Sequence, residues 1–114
     1  MMECLFCSII NGEIKADKVY EDELSIGIRD INPQAPVHVL IIPKKHISTL
    51  NEITEENKKL IGHLFFVAKE IAKKEGLAER GYRTVINCNR EAGQTIFHIH
   101  LHLLGGRLMG WPPG

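Results

Sequence analysis

His98-Ile99-His100-Leu101-His102-Leu103-Leu104 closes the last regular segment, Ile96 to Leu104, of a 114-residue chain. Its reading decides how the rest is organised. On a β-strand successive side chains point to opposite faces. The three imidazoles therefore share one face, while Ile99, Leu101 and Leu103 share the other and can bury against a core. Imidazoles grouped on one face can ligate a metal, pass protons or attack an electrophile. Neutral imidazole is a good nucleophile, and a free pKa near ~6.5 keeps much of it unprotonated at neutral pH. Nucleophile-centred chemistry is the reading that uses the whole pattern.

The loop Glu91-Ala92-Gly93-Gln94-Thr95 leads directly into this segment. Gly93 permits close approach of backbone to a ligand, and Gln94 and Thr95 offer donors for phosphate oxygens or a leaving group. His38 lies in Val37 to Ile42, an otherwise apolar run that suits a central strand buried on both faces. If that strand neighbours the histidine strand, His38 reaches the same site. Lys18 to Glu21, Leu24 to Arg29 and Arg83 to Asn87 read as further strands, making five. Asn32-Pro33-Gln34-Ala35-Pro36 is a loop, because each proline restricts itself and its predecessor.

Residues 5–11 read as a short helix closed by Gly12. The one long helix begins at Thr54, a good N-cap, with Glu55 and Glu56 at the positive end of its dipole. Leu60, Ile61, Leu64, Phe65, Ala68, Ile71 and Ala72 form its apolar stripe, and Gly76 closes it. Strands around one long and one short helix predict a single α+β domain over residues 1–114, with a five-stranded antiparallel sheet.

Lys plus Arg and Asp plus Glu number 14 each, so no global basic field is available to hold a nucleic-acid backbone. No apolar run approaches the ~20 residues of a membrane span. The opening Met1-Met2-Glu3-Cys4-Leu5-Phe6 lacks the pattern of a secretory leader, and a cytoplasmic protein is expected. Three cysteines, Cys4, Cys7 and Cys88, suit reduced thiols or a metal better than disulfides, and Cys88 reads as a small core residue. No cluster of carboxylates suggests a catalytic metal. His63, on the long helix, reads as a surface residue.

The segment 98–104 resembles the histidine triad motif, His-x-His-x-His followed by apolar residues. Asp30 to His38 and Ile42-Pro43-Lys44-Lys45-His46-Ile47 look like the body of the histidine triad (HIT) superfamily, and Gly105 to Gly114 looks like its Hint branch. Gly110 departs from that ending, where a histidine or other polar residue is expected before Trp111. The resemblance implies a homodimer whose two sheets join. It also implies hydrolysis of the P–N bond of purine nucleoside 5′-phosphoramidates through a nucleotidyl intermediate on His100. His102 and His38 would then assist proton and phosphate transfer, and Gln94 and Thr95 would contact the phosphate or the leaving amine. Asn87 would bond the phosphate side, and Asp30 the ribose hydroxyls. Phe6, Ile9, Ile28 and Ile31 would line the base slot, and Trp111, in a tail that crosses toward the partner, would shape the leaving-group side. Hydrolysis of dinucleoside polyphosphates and a purely nucleotide-binding regulator are the alternatives.

Cys4-x-x-Cys7 lacks the second Cys pair of a zinc ribbon. Two histidines can complete a tetrahedral set, with His46 and His98 as candidates. In relatives with an N-terminal Cys-x-x-Cys that combination implies a structural zinc, which would tie the N-terminus to the histidine strand.

Overall fold

A computed structural model describes residues 4–114; the leader reading falls partly on residues 1–3, which lie outside the described residues. The chain forms α1 (Leu5–Ile10), β1 (Lys18–Glu21), β2 (Ser25–Arg29), β3 (Val37–Pro43), α2 (Lys58–Lys74), β4 (Tyr82–Val85) and β5 (Leu101–Gly105). The strands make one sheet in the order β1-β2-β3-β5-β4, with every neighbouring pair antiparallel. The expected α+β architecture is what the chain adopts.

β3 lies at the centre, and its apolar run is explained by what covers each face. Val39 and Ile41 join the core beneath α2, together with Ile99, Leu101 and Leu103. Leu40 and Ile42 join a second, smaller core with Phe6 and Ile9 of α1. His38 alternates with Leu40 and so shares the α1 face. Leu40 pairs directly with His102, which places that imidazole on the α1 face too.

The last strand starts later than the sequence predicts. Residues 96–100 lie outside the ladder, which begins at Leu101. The cause sits on the neighbouring strand: Ile41 pairs with Leu101, and two residues further along, β3 ends at Pro43, which has no N–H to give. The Ile99 N–H instead donates to the Ile47 carbonyl at 2.8 Å. The Pro43 carbonyl takes the ring N–H of His98 at 2.7 Å. Alternation survives without the ladder, since Ile99 remains in the α2 core.

The start and face of α2 are also corrected. Thr54 caps a single 3-10 turn, Glu55–Asn57, that precedes the α-helix, and its N–H donates to Asn57 Oδ1 at 3.0 Å. The buried stripe is Leu64, Val67, Ala68, Ile71 and Ala72, with Phe65 left largely exposed. Gly76 closes the helix as predicted, with φ +78°. Its N–H bonds to the Lys73 carbonyl, and the Leu77 N–H reaches the Ala72 carbonyl, a left-handed C-terminal turn in which glycine avoids the Cβ clash. Leu77 folds under β5 and is buried. Cys88 is only half-buried rather than a core residue. Among the described residues no helix is long and apolar enough to cross a membrane.

Candidate active site and metal centre

The α1 face of the sheet carries a cavity of about 310 Å³. Its polar end is formed by His100, His102, Thr95 and Asp30, and its apolar walls by Phe6, Ile9, Ile28 and Ile31, among others. Eight residues singled out in the sequence thus meet around one space. Phe6, Ile9 and Ile28 are buried in its walls, whereas Ile31 stands fully exposed at the rim.

His100 is oriented from two sides. Phe6 meets its ring edge-on, with centroids 5.0 Å apart. Its Nδ1 lies 2.8 Å from the His98 carbonyl oxygen. A carbonyl only accepts, so Nδ1 carries the proton. In the neutral ring the lone pair is then on Nε2. Burial lowers the His100 pKa, outweighing the opposing pull of the His98 carbonyl and of Asp30, so the neutral form is favoured.

A second chain of bonds fixes His38 and His102. The Gln34 N–H donates to His38 Nδ1 at 3.0 Å. That nitrogen must therefore offer a lone pair, and the proton of neutral His38 sits on Nε2. His38 Nε2 lies 3.0 Å from His102 Nδ1 and 3.4 Å from Asp30 Oδ2. His102 consequently accepts at Nδ1 and presents its own proton on Nε2. Burial, then the neighbouring His100 and His38, push the His102 pKa down to about 4. Burial lowers that of His38 against the pull of Asp30. Asp30, His38 and His102 stand close enough to suggest a metal set. The proton on His38 Nε2 blocks that use and leaves a proton relay.

Four expected site residues are not among those lining the cavity. Gln94 is buried, and its amide donates to the Ser48 and Ile96 carbonyls while its oxygen accepts the Asn89 N–H. Its carboxamide is committed to holding the loop, which corrects its assignment to direct phosphate contact. Gly93 takes the left-handed φ of +93° that ends a 3-10 turn at residues 90–92. Asn87 is half-buried beyond the end of β4, away from the cavity lining. Trp111 is 82% exposed, and the Arg83 guanidinium lies 5.9 Å from its ring. That contact lies beside β4, and Trp111 is not among the residues lining the cavity of its own chain, which is where a tail directed toward a partner would leave it. A more open hollow of about 400 Å³ between Arg80, Arg83 and Arg107 contains no imidazole or carboxylate.

Sequence reasoning missed the Gln34 N–H and the His98 and Pro43 carbonyls, because main-chain groups carry no residue identity. It also missed Ile14, Lys15 and Ala16, which line the far end of the cavity. An apolar residue on each side of a lone lysine was the available signal.

Cys4, Cys7, His46 and His98 come together behind His100, with one ligand atom from each inside a 4.8 Å span. Cys4 Sγ to His98 Nδ1 and Cys7 Sγ to His46 Nδ1 are both 3.4 Å, Cys7 Sγ to His98 Nδ1 is 3.6 Å, and the two Nδ1 atoms are 3.1 Å apart. Bond lengths of about 2.3 Å for Zn–S and about 2.0 Å for Zn–N give tetrahedral edges of roughly 3.3–3.6 Å for such pairs. The bond from His98 Nε2–H to Pro43 turns the lone pair of Nδ1 toward the other three ligands. The donor set therefore fits zinc.

Fold and site together define a class, an antiparallel α+β domain with imidazoles gathered over an apolar cavity. Residues 11–109 match the HIT domain family. A HIT-like protein of Synechococcus elongatus is 55% identical over 112 residues, covering 98% of this chain and 97% of its own length. The purine nucleoside phosphoramidase of Escherichia coli is 50% identical over 108 residues, or 95% of this chain and 91% of that protein. A HIT family hydrolase from Legionella pneumophila superposes with a TM-score of 0.97 at 54% identity, covering 98% of this chain and 100% of that one. A zinc-bound histidine triad family protein from Mycobacterium smegmatis gives a TM-score of 0.78 at 38% identity, over 91% and 75% of the two chains. The chain belongs to the HIT domain family.

Proposed function

We propose that this protein hydrolyses the P–N bond of purine nucleoside 5′-phosphoramidates through a covalent nucleotidyl intermediate on His100. The observation that carries the reading is the 2.8 Å contact between His100 Nδ1 and the His98 carbonyl, which leaves the lone pair on Nε2 of a ring that lines the cavity. The similarity to the E. coli phosphoramidase supports the substrate class.

In this reading the base enters the apolar slot, Asp30 accepts from the ribose hydroxyls, and the phosphoryl group meets Thr95 and the two imidazoles. The anionic substrate draws a proton onto the His38–His102 pair, against the depression that burial imposes. His100 Nε2 attacks phosphorus, forming an N–P bond as the bond to the amine breaks. The departing nitrogen takes one proton from the His102 imidazolium. Water then attacks phosphorus and gives a proton back to the pair. The bond from phosphorus to Nε2 breaks, releasing the nucleoside monophosphate and neutral His100. Splitting one displacement into two steps lowers each barrier, and positioned proton transfer contributes ~10²–10⁴-fold.

Cys4, Cys7, His46 and His98 hold a structural zinc in this reading, which fixes the main chain that orients His100. A homodimer would pair the unpaired edge of β4, beside which Leu108 and Trp111 stand exposed at 95% and 82%. Light scattering of the purified protein tests that assembly, and a monomeric mass rejects it.

The deciding experiment measures AMP release from adenosine 5′-phosphoramidate by the wild type and by His100→Ala, with diadenosine polyphosphate as a second substrate. Turnover that falls by at least ~10³-fold in the variant is expected, together with a nucleotidyl adduct on His100 in acid-quenched wild type. Activity on the polyphosphate alone replaces this reading with that of a dinucleoside polyphosphate hydrolase. AMP binding without turnover of either substrate leaves a binding protein.

A further inference from the structure

The cavity crosses the sheet. His102 lies on β5, Leu40 on β3 and Ile28 on β2, while Ile14, Lys15 and Ala16 lead into β1. From β5 to β1 is three strand spacings, or about 14 Å. A phosphoryl group beside His100 therefore directs the rest of a nucleotide past Asp30 and toward segment 14–16. The far end of that path is where the outer edge of a purine arrives. Its walls there are Leu5, Ile14 and Ile31, which offer the ring face no polar contact.

Lys15 is the exception. It lines the cavity and is exposed, and it takes part in none of the ion pairs among the described residues. The other basic residue at this end, Arg29, is occupied by Glu75 at 3.0 Å. A lysine head group has three donors and no acceptor. It can bond to the O6 and N7 acceptors of guanine, whereas adenine presents an amino donor at the corresponding position.

We infer that Lys15 reads the outer edge of the base and makes this pocket favour 6-oxopurine nucleotides over adenine nucleotides. The inference rests on the nucleotide reading of the cavity but not on the P–N chemistry. Lysine offers a single flexible contact at a wet rim, so the bias is modest, about five- to tenfold.

Titration calorimetry with GMP, IMP and AMP tests it on the wild type, Lys15→Met and Lys15→Arg. Methionine keeps the apolar stem and removes the donor, and the position is exposed, so folding is not at stake. GMP and IMP are expected to bind the wild type about five- to tenfold more tightly than AMP. IMP matches GMP because it shares O6 and N7 and lacks only the 2-amino group. Lys15→Met should weaken GMP and IMP about five- to tenfold more than AMP, which shares only the N7 acceptor, and so abolish the preference, while Lys15→Arg retains it. The same preference in Lys15→Met, or an equal loss for all three nucleotides, overturns the inference. Absence of nucleotide binding overturns both it and the reading of the cavity. Base preference in the calorimeter without phosphoramidase turnover leaves Lys15 in its role and removes only the proposed reaction.

Discussion

At the scale of single residues, the site is set by which nitrogen of each imidazole holds its proton. The His98 carbonyl and the Gln34 N–H make that choice, and neither depends on a side chain that can swing away. His102 gives a measurable consequence. Its folded-state pKa of about 4 lies below the ordinary ~6.5. As pH falls below ~6.5 the unfolded chain takes the proton first, so stability is lost between pH 6.5 and 4 and is fully present above 6.5. The groups facing His102 are His38, His100 and, more distantly, Asp30, whose carboxylate pulls the other way. After allowance for partial exposure, the contribution is about 2 kcal/mol. Urea unfolding at pH 7 and pH 4.5 should show the wild type losing about that much more stability than His102→Gln. Parallel losses would show that His102 is not held neutral by the fold. Because both proteins share the cysteine–histidine set, any acid effect there cancels in the difference.

At the scale of elements, the close approach of β5 to the turn after α2 depends on a missing side chain. A Cβ on Gly105 would stand 2.6 Å from Leu77 Cδ1 and 2.9 Å from Cδ2. Gly105→Ala should cost about 1–3 kcal/mol by overpacking, and Leu77→Ala about 2–4 kcal/mol by leaving a cavity. The double variant should lose less than the sum, since each change relieves the other. Strict additivity of the denaturant midpoints would contradict this packing. The strands and both helices were legible because alternation and 3.6-residue spacing are local properties of the chain. The start of β5 was not, since it depends on a proline that ends the neighbouring strand just past the last β3–β5 pair. The exposed position of Phe65 was equally hidden: a helical stripe defines a face only to within a residue, and the surface of β3 and β5 selects Val67 instead. Three imidazoles at alternate positions announced the imidazole cluster on the α1 face. The commitment of Gln94 to its own loop was hidden because an amide in a loop does not reveal which way the loop turns it.

At the scale of the whole molecule, the cysteine–histidine set joins the N-terminus, the segment after β3 and the approach to β5 at one point. With zinc held there as proposed, chelation should lower the melting temperature of the purified protein by about 10 °C, equivalent to a few kcal/mol for a chain of this size. Turnover should fall with it, as the main chain that holds His100 loosens. A melting temperature that does not change after metal loss, verified by atomic emission, would mean that packing alone fixes this region.

The boundary of the family match gives that junction a further meaning. The match begins at residue 11, so every histidine lies inside it while Cys4, Phe6, Cys7 and Ile9 lie outside. A protease that trimmed the chain at Asn11 would leave a product still recognisable as a HIT domain, with nucleophile and relay intact in sequence. That product would keep two of the four members of the cysteine–histidine set, lose the ring against the edge of His100, and have its cavity open along one side. Cys4, Phe6, Cys7 and Ile9 thus complete a cavity wall and a ligand set that lie outside the matched family segment.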